Sequence, residues 1–403
     1  MTVQAHDPLS QPTNDALLGA AAVMVAAVAL AWLLRQTGLR HAAVAAGVMT
    51  GIMLGPMVLG PSAPTAFMRW IDGGAAERED LRDAQRMVEA RRVAMLHAGR
   101  APTTSEPAAA DELGAVERSK VALIQAQVDF AVPRRWIVLG LAALAILAAM
   151  ADPGPRQSLW QLTAFAKGAW LAVVPMSATL LCLALIEAER GTPIAFAIAA
   201  CTGCAAVAAG TDRALAHREE TTRPLAQAAR FATLLALMPL VVGAWMASQG
   251  SVAAARAGWC AIAACLGGLL IQGNAATQLQ RMTEVVIVPA LTALLMVSID
   301  LRTQAHWITT GLVVLASSDG RWLGAWVGAR SSGALAGGSA SRTALAAQGA
   351  TAAQLGFVGV LAFTTVAPAW SIATLVMGAL YMDLTGTLRF AAAGSLRAAD
   401  DSA

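Results

Sequence analysis

Apolar runs of near-constant length, separated by short polar turns, dominate the chain. They fall at 16–34, 41–60, 136–151, 164–187, 191–210, 226–248, 254–272, 283–301, 307–328, 343–366 and 370–390. A bilayer core takes about 20 apolar residues per helix, so the pattern predicts an all-α polytopic membrane protein with about 11 transmembrane helices, within a range of 11–13. Several runs carry breakers inside the span: Gly51 with Gly55-Pro56, Thr202-Gly203, Pro239, Pro289, and Gly349 with Gln348 and Gln354. Backbone groups freed at such points are tolerated in hydrocarbon only where protein or a water-filled cavity covers them. Close packing through Gly and Ala is the alternative account of most of these glycines. Trp32, Trp136, Trp245, Trp259, Trp307 and Trp370 lie at or near span ends, as in an interfacial belt.

One stretch departs from this pattern. Residues 61–134 read as a polar helical hairpin, with arms at 75–98 and 108–131 separated by Gly99-Arg-Ala-Pro102 and Glu106-Pro107. Leu81, Ala84, Val88 and Met95 on the first arm, and Leu113, Val116, Leu123 and Val128 on the second, give each helix one narrow apolar stripe. Acidic residues (Glu77, Glu79, Asp80, Asp83, Glu89) interleave with the basic ones, which favours a solvated hairpin over a polyanion site. A partner-docking or dimer surface is the functional reading of this insertion. The chain therefore divides into two leading helices (1–60), the hairpin (61–134), the remaining transmembrane helices (135–390) and a cytoplasmic tail (391–403).

Composition sharpens the class. Of 403 residues, 57% are hydrophobic and 13% charged, whereas a soluble surface draws on about a quarter charged residues. The net charge of +3 is no phosphate-binding field. A soluble enzyme, a secreted disulfide domain and a nucleic-acid binder are excluded. Cys182, Cys201, Cys204, Cys260 and Cys265 all lie in apolar runs. Cys201-Thr-Gly-Cys204 has redox spacing but no second Cys/His pair, so small fillers at helix contacts are the better reading. Asp7 and Asp15 flank the first span where a signal peptide would be basic. His6, His41, His97, His217 and His306 lie in or beside loops and form no metal cluster; no P-loop, nucleotide fingerprint or catalytic triad is present. No enzymatic activity and no cofactor are expected.

Short-loop arginines set the expected orientation. With the N-terminus outside, the inside loops hold Arg35, Arg40, Arg156, Arg213, Arg218, Arg223, Arg281, Arg330 and Arg342, with Arg397 in the tail. The outside loops, apart from the hairpin, hold Arg190 and Arg302, with Arg256 near an edge. The C-terminus is then cytoplasmic.

Four stretches carry a resemblance. The start, LLGAAAVMVAAVALAWLLRQTGLRHAAVAAGVMTGIMLGPMVLG, has a basic R-x-x-G-L turn followed by G-x-x-x-G-x-x-L-G-P-x-x-L-G. Residues 192–242 contain a broken helix and an R-E-T-x-x-x-P-L-like turn; 291–330 contain an I-D-L helix end and then Gly320-Arg321; Met382-Asp-Leu-Thr-Gly-Thr-Leu-Arg-Phe390 closes the chain. In this order they resemble the monovalent cation/proton antiporter (sodium/hydrogen exchanger) superfamily, as a divergent member whose middle, around 254–282, is short. The resemblance implies an inverted-repeat fold, a homodimer in the lipid bilayer of a bacterial inner membrane, and a monovalent cation (Na⁺ or K⁺) and a proton as substrates. It also implies two broken helices crossing at midplane, near 198–212 and 345–356.

An antiporter needs a midplane carboxylate that binds either a proton or a cation. In the family this is an aspartate in the helix matched by 226–248, where this chain has Ala232, Thr233 and Leu234. No Asp or Glu occurs between Glu220 and Glu284. Arg321 stands where the family has lysine, and arginine stays protonated. It calls for an aqueous cavity or a partner, such as Glu284, Asp300, Asp383 or backbone carbonyls at the broken helices, because a lone arginine at a helix centre costs about 2.5–3.5 kcal/mol. Asp319 is close in sequence but points to a different face of the helix. A structural salt bridge at the vacated ion site is the alternative role for Arg321. Thr202 and Asp212 lie on or just after the first broken element, Asp212 also reading as a helix-end charge. Gln348 and Gln354 suit a cation pathway or the capping of unwound backbone. Asp383 suits either an ion ligand or an interfacial charge. The ion-pathway candidates are thus Thr202, Asp212, Thr233, Asp300, Asp319, Arg321, Gln348 and Asp383. Three readings follow: a cation/proton antiporter with a remodelled site, a transport-inactive scaffold or sensor, and an anion or small-solute carrier using Arg321.

Overall fold

A computed structural model describes residues 11–37, 42–97, 107–151, 252–304, 352–364 and 372–381, with Trp307 and Gly311. The expected runs at 164–187, 191–210 and 226–248, and the candidates Thr202, Asp212, Thr233, Asp319, Arg321, Gln348 and Asp383, lie outside the described residues. So do the first crossing element and most of the second. Among the described residues the fold is helical throughout apart from turns and one isolated bridge. Four helices are long and apolar enough to cross a membrane: 14–36, 42–62, 113–150 and 274–296.

The first is α1 (Gln11–Gln36), which turns back into α2 (Ala42–Leu54). Helix α2 stops one residue before Gly55-Pro56, where glycine entropy and the missing proline N–H both disfavour continuation. Two short helical turns, Leu59–Ser62 and Pro64–Phe67, and a π-helical turn at Met68–Asp72 lead to the hairpin. Gly73 and Gly74 make that entry with φ of +76° and +68°, a region costly for any residue with a Cβ.

The first hairpin arm, α3 (Ala75–His97), matches the expected span within one residue. The second does not end at 131. It continues as α4 (Pro107–Met150), one helix of 44 residues with Pro133 inside it. At 1.5 Å per residue this is about 66 Å, twice a bilayer core, so the hairpin arm and the following span form one continuous helix. The hairpin's inner stripe holds Ala84, buried, with Leu81, Val88 and Met95 on α3 and Val116 and Leu123 on α4 half-buried. Leu113 and Val128, expected in that stripe, are exposed instead; the contact runs through Ala126, Gln127 and Phe130.

After residues 152–251 come α5 (Val252–Leu270) and α6 (Asn274–Met296), then α7 (Ala352–Thr364) and α8 (Ile372–Tyr381). Pro289 interrupts α6 as its chemistry requires: a π-helical turn occupies Thr283–Ile287 immediately upstream, where the missing proline donor shifts the hydrogen-bond register.

Helix α6 is the central post. The glycines of α2 lie directly on it: a Cβ built at Gly47 would fall 2.5 Å from Thr292 Cβ, and one at Gly51 2.5 Å from Met296 Cβ. One at Gly55 would meet the Val297 carbonyl oxygen at 3.0 Å. The four-residue spacing places all three on one helix face, and absence of side chains lets the backbones touch. Gly356 and Gly359 of α7 similarly seat against Ala142 and Ile146 of α4. Leu291, Leu294, Met296, Ile146, Leu355, Phe357 and Leu361 fill the space between.

Candidate functional site

Arg35 at the end of α1 donates to the backbone carbonyl of Glu284 at 2.8 Å, so Arg35 and Arg281 lie at one face of the bundle. The hairpin, Asp15 and the end of α6 lie at the other: Arg69 pairs with Asp15 at 3.4 Å. Glu284 is exposed on this bundle.

Of the eight sequence-derived candidates, Asp300 alone is among the described residues. It follows α6 and is half-buried; its Oδ1 accepts from the Arg302 backbone N–H at 3.0 Å, capping the next helical turn. What surrounds it was not legible in the sequence. A polar cavity of about 300 Å³ is lined by Pro56, Phe67, Ile71, Asp72, Arg78, Arg134, Ser298 and Asp300. Two carboxylates and two guanidiniums therefore meet where the hairpin joins the transmembrane helices.

The hairpin's share of this site is tightly held. Asp72 Oδ2 accepts from Arg78 at 2.8 Å and from Gln127 Nε2 at 2.8 Å. Arg134 donates to the Ile71 carbonyl at 3.1 Å. The π-helical turn ending at Asp72 aims this carboxylate back at the base of α4, and the left-handed Gly73-Gly74 pair permits it. Arg134 also reaches a second cavity of about 320 Å³, lined by Ala131, Arg134, Arg135, Val138, Leu294, Leu295, Ser298, Ile299, Ala362, Phe363 and Ile372. Arg134 and Ser298 are common to both walls.

Gln354, singled out in the sequence, is buried and donates to the Leu375 carbonyl at 3.2 Å, bridging α7 and α8. The carbonyl it reaches lies within α8 and is not unwound backbone. Cys260 is half-buried and Cys265 fully buried in α5, as apolar fillers. No group of three or more His, Cys, Asp or Glu side chains capable of holding a metal occurs among the described residues.

Neither the known protein families nor the curated proteins contain a match to this sequence.

Proposed function

We propose that this chain is a secondary transporter of the monovalent cation/proton antiporter type with a remodelled ion site, working as a homodimer with the hairpin outside and the C-terminus in the cytoplasm. The observation that carries the reading is the position of Asp300. This carboxylate closes the helix against which Gly47, Gly51 and Gly55 seat, and it lines a polar cavity with Asp72, Arg78 and Arg134. A partly buried carboxylate lining a polar cavity has the oxygen ligands that either a proton or a cation can occupy. In this reading Asp300 serves the pathway in place of the aspartate that 226–248 lacks, with Arg321, Asp319, Thr202, Asp212, Thr233, Gln348 and Asp383 as its further candidates.

The carboxylate-free stretch between Glu220 and Glu284 favours a second reading: a transport-inactive scaffold or sensor, or an anion carrier built on Arg321. Liposomes holding the purified protein separate these. Internal pH followed under Na⁺, K⁺ and chloride gradients is expected to move with a cation gradient and to stop moving in Asp300→Asn. Chloride-driven flux abolished by Arg321→Gln marks the anion carrier, and flat traces under every gradient mark the scaffold.

A further inference from the structure

The second cavity has a chemistry that cation exchange does not use. Its apolar lining includes Val138 of α4, Leu294 and Leu295 of α6, Phe363 of α7 and Ile372 of α8. Its polar lining consists of Arg134, Arg135 and Ser298, with no carboxylate among the lining residues. Arg134 is engaged with the Ile71 carbonyl. Arg135 is half-buried, and among the described residues no hydrogen bond or ion pair engages it. Arg134 shares the first cavity with Asp72 and Asp300, so Arg135 is the guanidinium left to seat an anion, with a fork that fits a carboxylate or phosphate. The two arginines also mark the edge of the apolar part of α4: Trp136 follows directly, exposed, with its ring 4.9 Å from that of Phe363 in an edge-on contact. Tryptophan at this position is characteristic of a membrane–water interface. The volume, about 320 Å³, lies at the small end of the range for ligand pockets, about 300–1,000 Å³.

We infer that this cavity binds one amphiphilic anion, an acyl chain bearing a carboxylate or phosphate, with the head on Arg135 and Arg134 and the chain in the chamber toward Leu294 and Phe363. The source of the chain is a free fatty acid or a membrane phospholipid; the chemistry recognised is the same. Because Arg134 also lines the Asp300 cavity, an occupant here touches the residue that joins the hairpin to the bundle. The site does not depend on whether the chain moves cations.

The test uses the full chain in a neutral detergent and a brominated long-chain carboxylate, which quenches nearby tryptophan on contact. Saturable quenching is expected, and its loss in Trp136→Phe assigns it to this cavity. Arg135→Gln is expected to weaken binding at least tenfold and Arg135→Lys to weaken it less, since lysine keeps the charge but not the fork. The brominated alcohol of equal length is expected to bind at least tenfold more weakly to the wild type, a comparison that needs no variant to fold. Competition by dodecanoate but not by phosphatidylglycerol identifies a fatty-acid site, and the reverse identifies a phospholipid site. Inorganic phosphate is expected not to compete. Equal binding of alcohol and carboxylate, quenching unchanged in Trp136→Phe, or full competition by inorganic phosphate each overturns the inference.

Discussion

The guanidinium of Arg134 donates to the backbone carbonyl of Ile71 across 3.1 Å, tying the first turn of the hairpin insertion to its last. Asp72 repeats the tie one residue on, accepting from Gln127 on α4 and Arg78 on α3. The insertion is thereby built into the transmembrane bundle at its base.

Replacement of Asp72 by Ala is expected to lower stability by about 1–2 kcal/mol. Two charge-assisted hydrogen bonds disappear together, each worth about 1.5–3 kcal/mol when buried and less here because the carboxylate is 30% exposed. Asp83→Ala should change nothing measurable, since the Asp83–Arg86 pair is exposed on both sides. Thermal unfolding in detergent, with limited proteolysis of the hairpin, checks both.

Gly51→Leu is expected to prevent α2 from seating on α6, at a cost of about 3 kcal/mol or more, the upper range for overpacking. The obstacle is the Ala293 carbonyl at 3.0 Å as well as the Met296 side chain, and backbone yields less than a rotamer does. Gly140→Ala is the counterpart: nothing lies within 4 Å of its added Cβ, so it should raise stability by about 0.5–1 kcal/mol through helix propensity.

Within α6, the hydroxyl of Thr283 is buried and makes no hydrogen bond among the described residues. Thr283→Val therefore removes a desolvated polar group at nearly constant volume and is expected to be neutral or to stabilise by up to about 1 kcal/mol. A loss of stability in this variant on thermal unfolding would show that the hydroxyl serves the π-helical turn.

Gln354→Ala combines a lost interhelical hydrogen bond with a cavity. Such bonds in membrane proteins average about 0.6 kcal/mol, so the cavity dominates, and a total of about 2–3 kcal/mol is expected. Gln354→Met, which keeps the volume, should recover most of it. The two variants' unfolding midpoints decide which contribution is larger.

The elements were legible where a local rule sufficed. Glycines four apart at 47, 51 and 55 can only share a face, and Gly55-Pro56 can only end a helix. The apolar stripe of α3 likewise followed from spacing alone. The break expected between the hairpin arm ending at 131 and the span beginning at 136 is absent: one helix runs through Pro133 to Met150. Leu113 and Val128 were assigned inward because they are apolar, whereas Ala126, Gln127 and Phe130 take the contact. The candidate site was legible only at Asp300. Asp72, Arg78 and Arg134 are brought to it by the return of α4 beside the hairpin entry, and no spacing in the sequence encodes that meeting.

The most direct test of the account is the initial rate of internal pH change in proteoliposomes when a Na⁺ or K⁺ gradient is applied. A cation-driven change several times that of empty liposomes is expected, lost in Asp300→Asn while the protein remains folded. A wild-type rate equal to that of empty liposomes under both cations would contradict it.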